Sequence, residues 1–206
     1  MFDPAFLLFC TATAAMAISP GPAAICIASQ GSGNGWRRAM AGTLGILAAN
    51  FLFFLLSATG VAVLLLASHA LFTLIKWCGV AYLLYLSLSF LTARGGFRHQ
   101  PGKAAPLSRL FSQGALVQLS NPKAMLYFTA ILPQFVQPGA DVLAQFAVLA
   151  LAKALIDLVV YAGYAGLGQG LATAGLREST VAWINRGAAG ALLYTAIRLV
   201  GGPERA

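Results

Sequence analysis

The sequence predicts an all-α integral membrane protein of six transmembrane helices. They form two inverted three-helix repeats, with helices one and four broken near the bilayer midplane. Three observations predict it. Of 206 residues, 59% are hydrophobic and only 9% are charged, whereas a soluble domain carries roughly 25% charged residues to stay in water. Apolar runs of spanning length recur along the whole chain, and each is most simply a helix, because lipid leaves backbone polar groups no partner outside their own segment. One polar stretch divides these runs three and three, and each half begins with a proline-interrupted run.

The runs cover residues 4–29, 39–67, 70–93, 110–136, 142–171 and 181–200. The first could pass for a signal peptide, with Ala15-Met16-Ala17 as its cleavage site. Yet no basic segment precedes it, and the apolar run continues past that point, so it reads as a retained first helix. Arg37 and Arg38 lie in the first loop, Arg94, Arg98, Lys103 and Arg109 in or beside the third, and Arg177 in the fifth. The second and fourth loops hold no Lys or Arg, and the fourth carries Asp141. Basic loops stay cytoplasmic, which places odd-numbered loops inside and both termini outside. The whole chain reads as one transmembrane domain: repeat one is 1–93, the cytoplasmic loop 94–108 and repeat two 109–206. Three helices per half is an odd number, so the halves have opposite orientation.

The formal charge of +8 does not indicate nucleic acid. The basic residues flank apolar runs and are not interleaved with exposed aromatics. Cys10, Cys26 and Cys78 sit in apolar stretches without a Cys-x-x-Cys pair, so neither thiol redox chemistry nor a metal site is expected. His69 and His99 fall at a helix edge and in a loop, without a partner that would make them catalytic. No cofactor is expected.

The chemistry lies in the two proline breaks. Ile18-Ser19-Pro20-Gly21-Pro22-Ala23 in run one corresponds to Leu119-Ser120-Asn121-Pro122-Lys123-Ala124 in run four. Proline removes a donor and clashes with the preceding turn, so it interrupts a helix. It is well tolerated as a first helical residue behind a capping Gly or Asn. Gly21-Pro22 and Asn121-Pro122 thus read as fresh helix starts within a span. Such starts expose N–H groups and a partial positive charge, which attract an anion such as a carboxylate. Both breaks fall roughly 15–18 Å deep, near the midplane. The plainer reading is a pair of ordinary proline kinks, though Pro20 and Pro22 together exceed what a kink needs.

Two lone polar residues occupy matching mid-span places, Asn50 in run two and Asp157 in run five. A charge at the bilayer centre costs about 2.5–3.5 kcal/mol on insertion scales, so Asp157 is expected to face the bundle interior. Lys153 precedes it by one helical turn and can pair with it. Asp157 is the candidate for proton coupling or for binding a substrate ammonium, with Lys153 beside it. The bland alternative is a structural ion pair with Lys153 or Lys123. Lys123 is the candidate for a substrate carboxylate. The candidate binding set is therefore Pro20, Gly21, Pro22, Asn50, Asn121, Pro122 and Lys123.

These motifs resemble the LysE/RhtB amino-acid exporter family. The resemblance rests on Ser19-Pro20-Gly21-Pro22, the stretch Lys76-Trp77-Cys78-Gly79-Val80-Ala81-Tyr82-Leu83, Asn121-Pro122-Lys123, Leu132-Pro133-Gln134-Phe135, and Asp157 followed by Gly163-Tyr164-Ala165. They span nearly the whole chain. The resemblance implies export of small amino acids or derivatives (of threonine, homoserine, leucine or basic type) across the bacterial inner membrane, driven by the proton motive force. The chain departs from the pattern at Asn50, where some members carry a histidine. The expected partners are an amino-acid substrate, protons and membrane lipid, and a homo-oligomer is compatible with the sequence. The rival readings are an intramembrane enzyme, which would need a nucleophile–base pair or metal cluster within the spans, a non-catalytic multi-pass subunit, and an exporter of another small metabolite or cation.

Overall fold

In the computed structural model, residues 4–58, 104–136 and 141–174 are described, with single helical positions among 77–91 and 183–200. Most of runs three and six lie outside the described residues. So do Lys76, Arg94, Arg98, Lys103, Arg177, Arg198, Arg205 and both histidines. Among the described residues the chain is helical, with no strand.

Run one is two helices, α1 (Pro4–Ile18) and α2 (Pro22–Asn34), bent by 59° at the break between them. Gly35 ends α2 with φ of +83°, a left-handed conformation that glycine adopts without Cβ strain, and its N–H bonds back to the Gly31 carbonyl at 2.9 Å. The chain then turns into α3 (Trp36–Ala58), whose 23 residues suffice to cross a hydrocarbon layer.

Run four winds unevenly. It begins as α4 (Leu107–Leu119), breaks at Ser120-Asn121 and restarts as α5 (Pro122–Leu126). It then widens into a π turn over Tyr127–Ile131 and tightens into a 3₁₀ turn over Leu132–Phe135. Pro133 gives the reason: it has no N–H to offer the carbonyl one turn back, and its ring crowds that turn. Ser57 on α3 donates its hydroxyl to the Phe128 carbonyl within the π turn at 3.0 Å.

Run five is α6 (Val142–Thr173), started by Asp141, whose carboxylate accepts from the Ala144 N–H at 3.1 Å. Its buried residues, Phe146, Leu149, Lys153, Asp157, Tyr161, Ala165 and Gly168, recur every three or four positions and form one stripe. The remaining faces carry exposed Leu and Val, which suits contact with lipid. By length and apolarity the described helices supply two spans, or three with the bent α1–α2 pair counted as one.

Small residues set the helix spacing. A Cβ on Gly45 would lie 2.0 Å from the Phe111 carbonyl oxygen, and one on Gly114 2.0 Å from that of Gly42, so α3 and α4 touch backbone to backbone. A Cβ on Gly168 would lie 1.9 Å from the Ala28 carbonyl oxygen, which fixes α6 against α2. Gly163 and Gly170 face open space instead. Two buried clusters result, one around Ile27, Ile46, Val117 and Ala165, the other around Phe9, Phe54, Phe128 and Leu132.

Candidate substrate and coupling site

The two breaks meet. Lys123, second residue of α5, donates its ammonium to the Ser19 carbonyl at the end of α1, 2.6 Å away. The neighbouring Ile18 carbonyl accepts from the Tyr164 hydroxyl of α6 at 2.6 Å. These carbonyls end a half-helix and carry its partial negative charge, so a cation and a hydroxyl satisfy them. Sequence reasoning left Lys123 to a carboxylate or to Asp157; the nearest group it bonds is a backbone carbonyl 104 residues away.

The two helix starts are capped unequally. Asn121 accepts the Lys123 N–H on its own side-chain oxygen at 3.1 Å and so caps α5. Gly21 is extended, has no side chain, and leaves α2 without a side-chain cap. The first turn of α2 is therefore the start that lacks an internal anion mimic. Pro22 sits at its first position and is buried, whereas Pro20 is exposed.

Between the breaks lies a cavity of ≈ 30 Å³ bounded by Ser19, Gly21, Asn121, Lys123, Tyr127 and Asp157, with Lys153 and Tyr161 also on its wall. Pro20, Pro22 and Pro122 shape the breaks without lining it. That volume suits about two water molecules, whereas sites for small ligands run to hundreds of Å³. Admitting an amino acid therefore requires the break segments to part, and the Lys123–Ser19 bond is a contact that spans them.

Asp157 is 1% exposed and pairs with Lys153 one turn earlier, at 2.9 Å and 3.2 Å to its two oxygens. The Lys153 ammonium also lies 4.5 Å from the centroid of the Tyr127 ring and 5.8 Å from that of Phe128. The Tyr127 hydroxyl is held by Thr13 of α1 at 2.7 Å. Asn50 of α3 donates to Asp157 at 2.7 Å, so the two lone mid-span residues are in direct contact.

Behind Asn50 runs a chain that sequence reasoning missed. Gln118 of α4 donates to the Asn50 oxygen at 2.6 Å, and Asn121 donates to the Gln118 oxygen at 3.1 Å. All three amides are buried. A backbone donor at Lys123 fixes one end and a carboxylate the other, so the three amides align in one direction from the second break to Asp157. The available signal was the closeness of Gln118 to Asn121, three positions apart across the break, which lets the two amides meet.

A wider recess of ≈ 430 Å³ opens at the α2–α3 turn, among Asn34, Trp36, Arg37, Arg38, Gly166 and Gln169. Its Trp36 indole donates to the Ala162 carbonyl at 3.0 Å, and Arg38 holds the Ala105 carbonyl at 2.7 Å. Among the described residues no cluster of His, Cys, Asp or Glu is arranged to hold a metal.

The model of the LysE type translocator family matches residues 14–202. A homoserine/homoserine lactone efflux protein of Salmonella typhimurium is 32% identical over 158 residues, covering 76% of this chain and 77% of that one. Its namesake in Salmonella typhi is 31% identical over the same length and shares. An uncharacterized membrane protein of Vibrio cholerae is 36% identical over 69 residues, 34% of this chain and 32% of its own. No solved structure matches the chain.

Proposed function

Because the chain belongs to the LysE type translocators, and so is a multi-pass bacterial membrane protein, we propose that it is a secondary exporter of a small amino acid or amino-acid derivative, driven by the proton motive force across the inner membrane. The six-helix inverted repeat is part of this reading. The observation that carries it is the convergence of two helix breaks on a buried carboxylate, Lys123 bridging the breaks and Asp157 lying below them. A purely structural bundle has little use for either.

The substrate's carboxylate goes to the uncapped start of α2 at Gly21-Pro22, with Lys123 as counter-charge. Its ammonium goes to Asp157. Homoserine and its lactone are the first candidates, on the strength of the named relatives. Both carry an ammonium, but the lactone has an ester in place of the carboxylate. A proton reaching Asp157 from outside removes the charge that holds the ammonium, and substrate arriving from inside favours the ionised form. Proton and substrate then bias the same two-state rearrangement in opposite senses.

Proteoliposome uptake of labelled homoserine, with lactone as competitor, tests the assignment. Asp157→Asn is expected to abolish uptake driven by a proton gradient. Lys123→Met should weaken homoserine by about tenfold or more, the worth of one charge-assisted hydrogen bond, yet leave competition by the lactone near its wild-type value. Gradient-driven uptake by Asp157→Asn at the wild-type rate would overturn the coupling role. Equal loss of both ligands in Lys123→Met would overturn the carboxylate role.

A further inference from the structure

Lys153 does more than neutralise Asp157. Its ammonium is enclosed by groups that a free alkylammonium would select: two carboxylate oxygens at 2.9 and 3.2 Å, the face of Tyr127 at 4.5 Å and that of Phe128 at 5.8 Å. Carboxylate and aromatic faces together form a cage for a desolvated cation. Other parts of the protein hold the cage in place. Thr13 fixes the Tyr127 hydroxyl, Ser57 fixes the backbone at Phe128, and the amide chain through Asn50 and Gln118 fixes one Asp157 oxygen. Both Lys153 and Asp157 face the cavity between the breaks.

We propose that Asp157, Tyr127 and Phe128 form a primary-ammonium site, and that Lys153 is a tethered occupant of it that the substrate's amino group displaces. This rests on the exporter reading and deepens it, since it names what the substrate must compete with. Other titratable groups around the cavity are Lys123 from α5 and Tyr161 from α6. Among the described residues, α1 and α2 bring none to it. An entering zwitterion carries its own carboxylate, so the net charge of the cavity is unchanged when its ammonium replaces that of Lys153 at Asp157. Between substrates Lys153 returns, and the buried carboxylate always has a cation. A primary ammonium fits because Asp157 accepts N–H donors, whereas a quaternary ammonium offers none.

Chemical complementation tests this without a transport assay. Lys153→Ala removes three carbons and the ammonium, which n-propylammonium replaces atom for atom. Purified Lys153→Ala is expected to unfold at a lower temperature than wild type and to regain most of the loss with n-propylammonium chloride, saturably. Tetramethylammonium chloride and sodium chloride at equal ionic strength should not restore it, nor should n-propylammonium restore Lys153→Ala/Asp157→Asn. Equal effects of the three salts on Lys153→Ala would overturn the site. Should Lys153→Ala not fold, Lys153→Arg keeps the charge and grips the carboxylate bidentately. Displacement then becomes harder, and the KM for homoserine should rise by about tenfold. An unchanged KM in Lys153→Arg would overturn displacement. Wild-type protein that fails to transport any amino acid while Lys153→Ala still responds to n-propylammonium would leave the cage standing and remove the exporter reading alone.

Discussion

Replacing Gln118 with Met cuts the amide chain while nearly keeping its length and volume. Two buried groups lose their partners, the Asn50 side-chain oxygen, now bonded at 2.6 Å, and the Asn121 amide hydrogen, now bonded at 3.1 Å. A buried polar group left without a partner costs about 1–3 kcal/mol. Asn121 borders the cavity, where water can reach it, so its share lies near the lower figure. Asn50 is 4% exposed and absent from the cavity wall, so its share lies near the upper figure. The total comes to about 3–4 kcal/mol. Reversible unfolding in mixed micelles measures it, and the double variant Gln118→Met/Asn50→Leu should cost less than the two single changes added, because the stranded oxygen is gone. A loss below about 1 kcal/mol for Gln118→Met, or strict additivity, would refute the claim that the chain is a connected network.

Packing and topology give two further tests. Gly168→Val should strongly lower the unfolding midpoint, since even its Cβ would sit 1.9 Å from the Ala28 oxygen, whereas Gly163→Val, with nothing within 4 Å, should be tolerated; equal effects would remove Gly168 as the α2–α6 contact. Reporter fusions at Gly102 and Ala206 should report opposite sides of the membrane, and the same side for both would sink the inverted six-helix arrangement.

What could be read in the sequence was what stands out against an apolar background. Pro22, Pro122, Asp157 and Lys153 are conspicuous because lipid penalises broken backbone and buried charge, and local spacing alone suggested the ion pair. Asn50 was found the same way, though its contact with Asp157 needs α3 and α6 to cross at that depth. Gln118 was missed because its partner Asn50 lies 68 residues away on another helix, and their contact exists only where α3 and α4 cross at that depth. The bond from Lys123 to Ser19 depends on how two distant breaks face each other, which no local pattern sets. Which glycine is tight also depends on the crossing point, so the open Gly163 and Gly170 look no different in sequence from the packed Gly168.

The position of Asp157 along α6 has an electrical consequence. Apart from Lys153 and Asp157, the helix is uncharged, and polar glutamines bound its apolar part at Gln145 and Gln169, each twelve residues from Asp157. That is about 18 Å of helix on either side, against a hydrocarbon half-thickness of about 15 Å, so a modest tilt puts the carboxylate at mid-depth. A charge carried across the whole membrane exchanges about 2.3 kcal/mol per 100 mV with the field, and one that stops at mid-depth exchanges about half of that. A proton arriving at Asp157 from outside would thus be drawn by a negative interior as strongly as by an acidification of about 0.8 pH unit for each 100 mV. Voltage alone, with no pH difference, would then load the site, and because Lys153 keeps its charge when Asp157 is neutralised, the protonated pair would carry one positive charge and its inward return would be drawn by the same voltage.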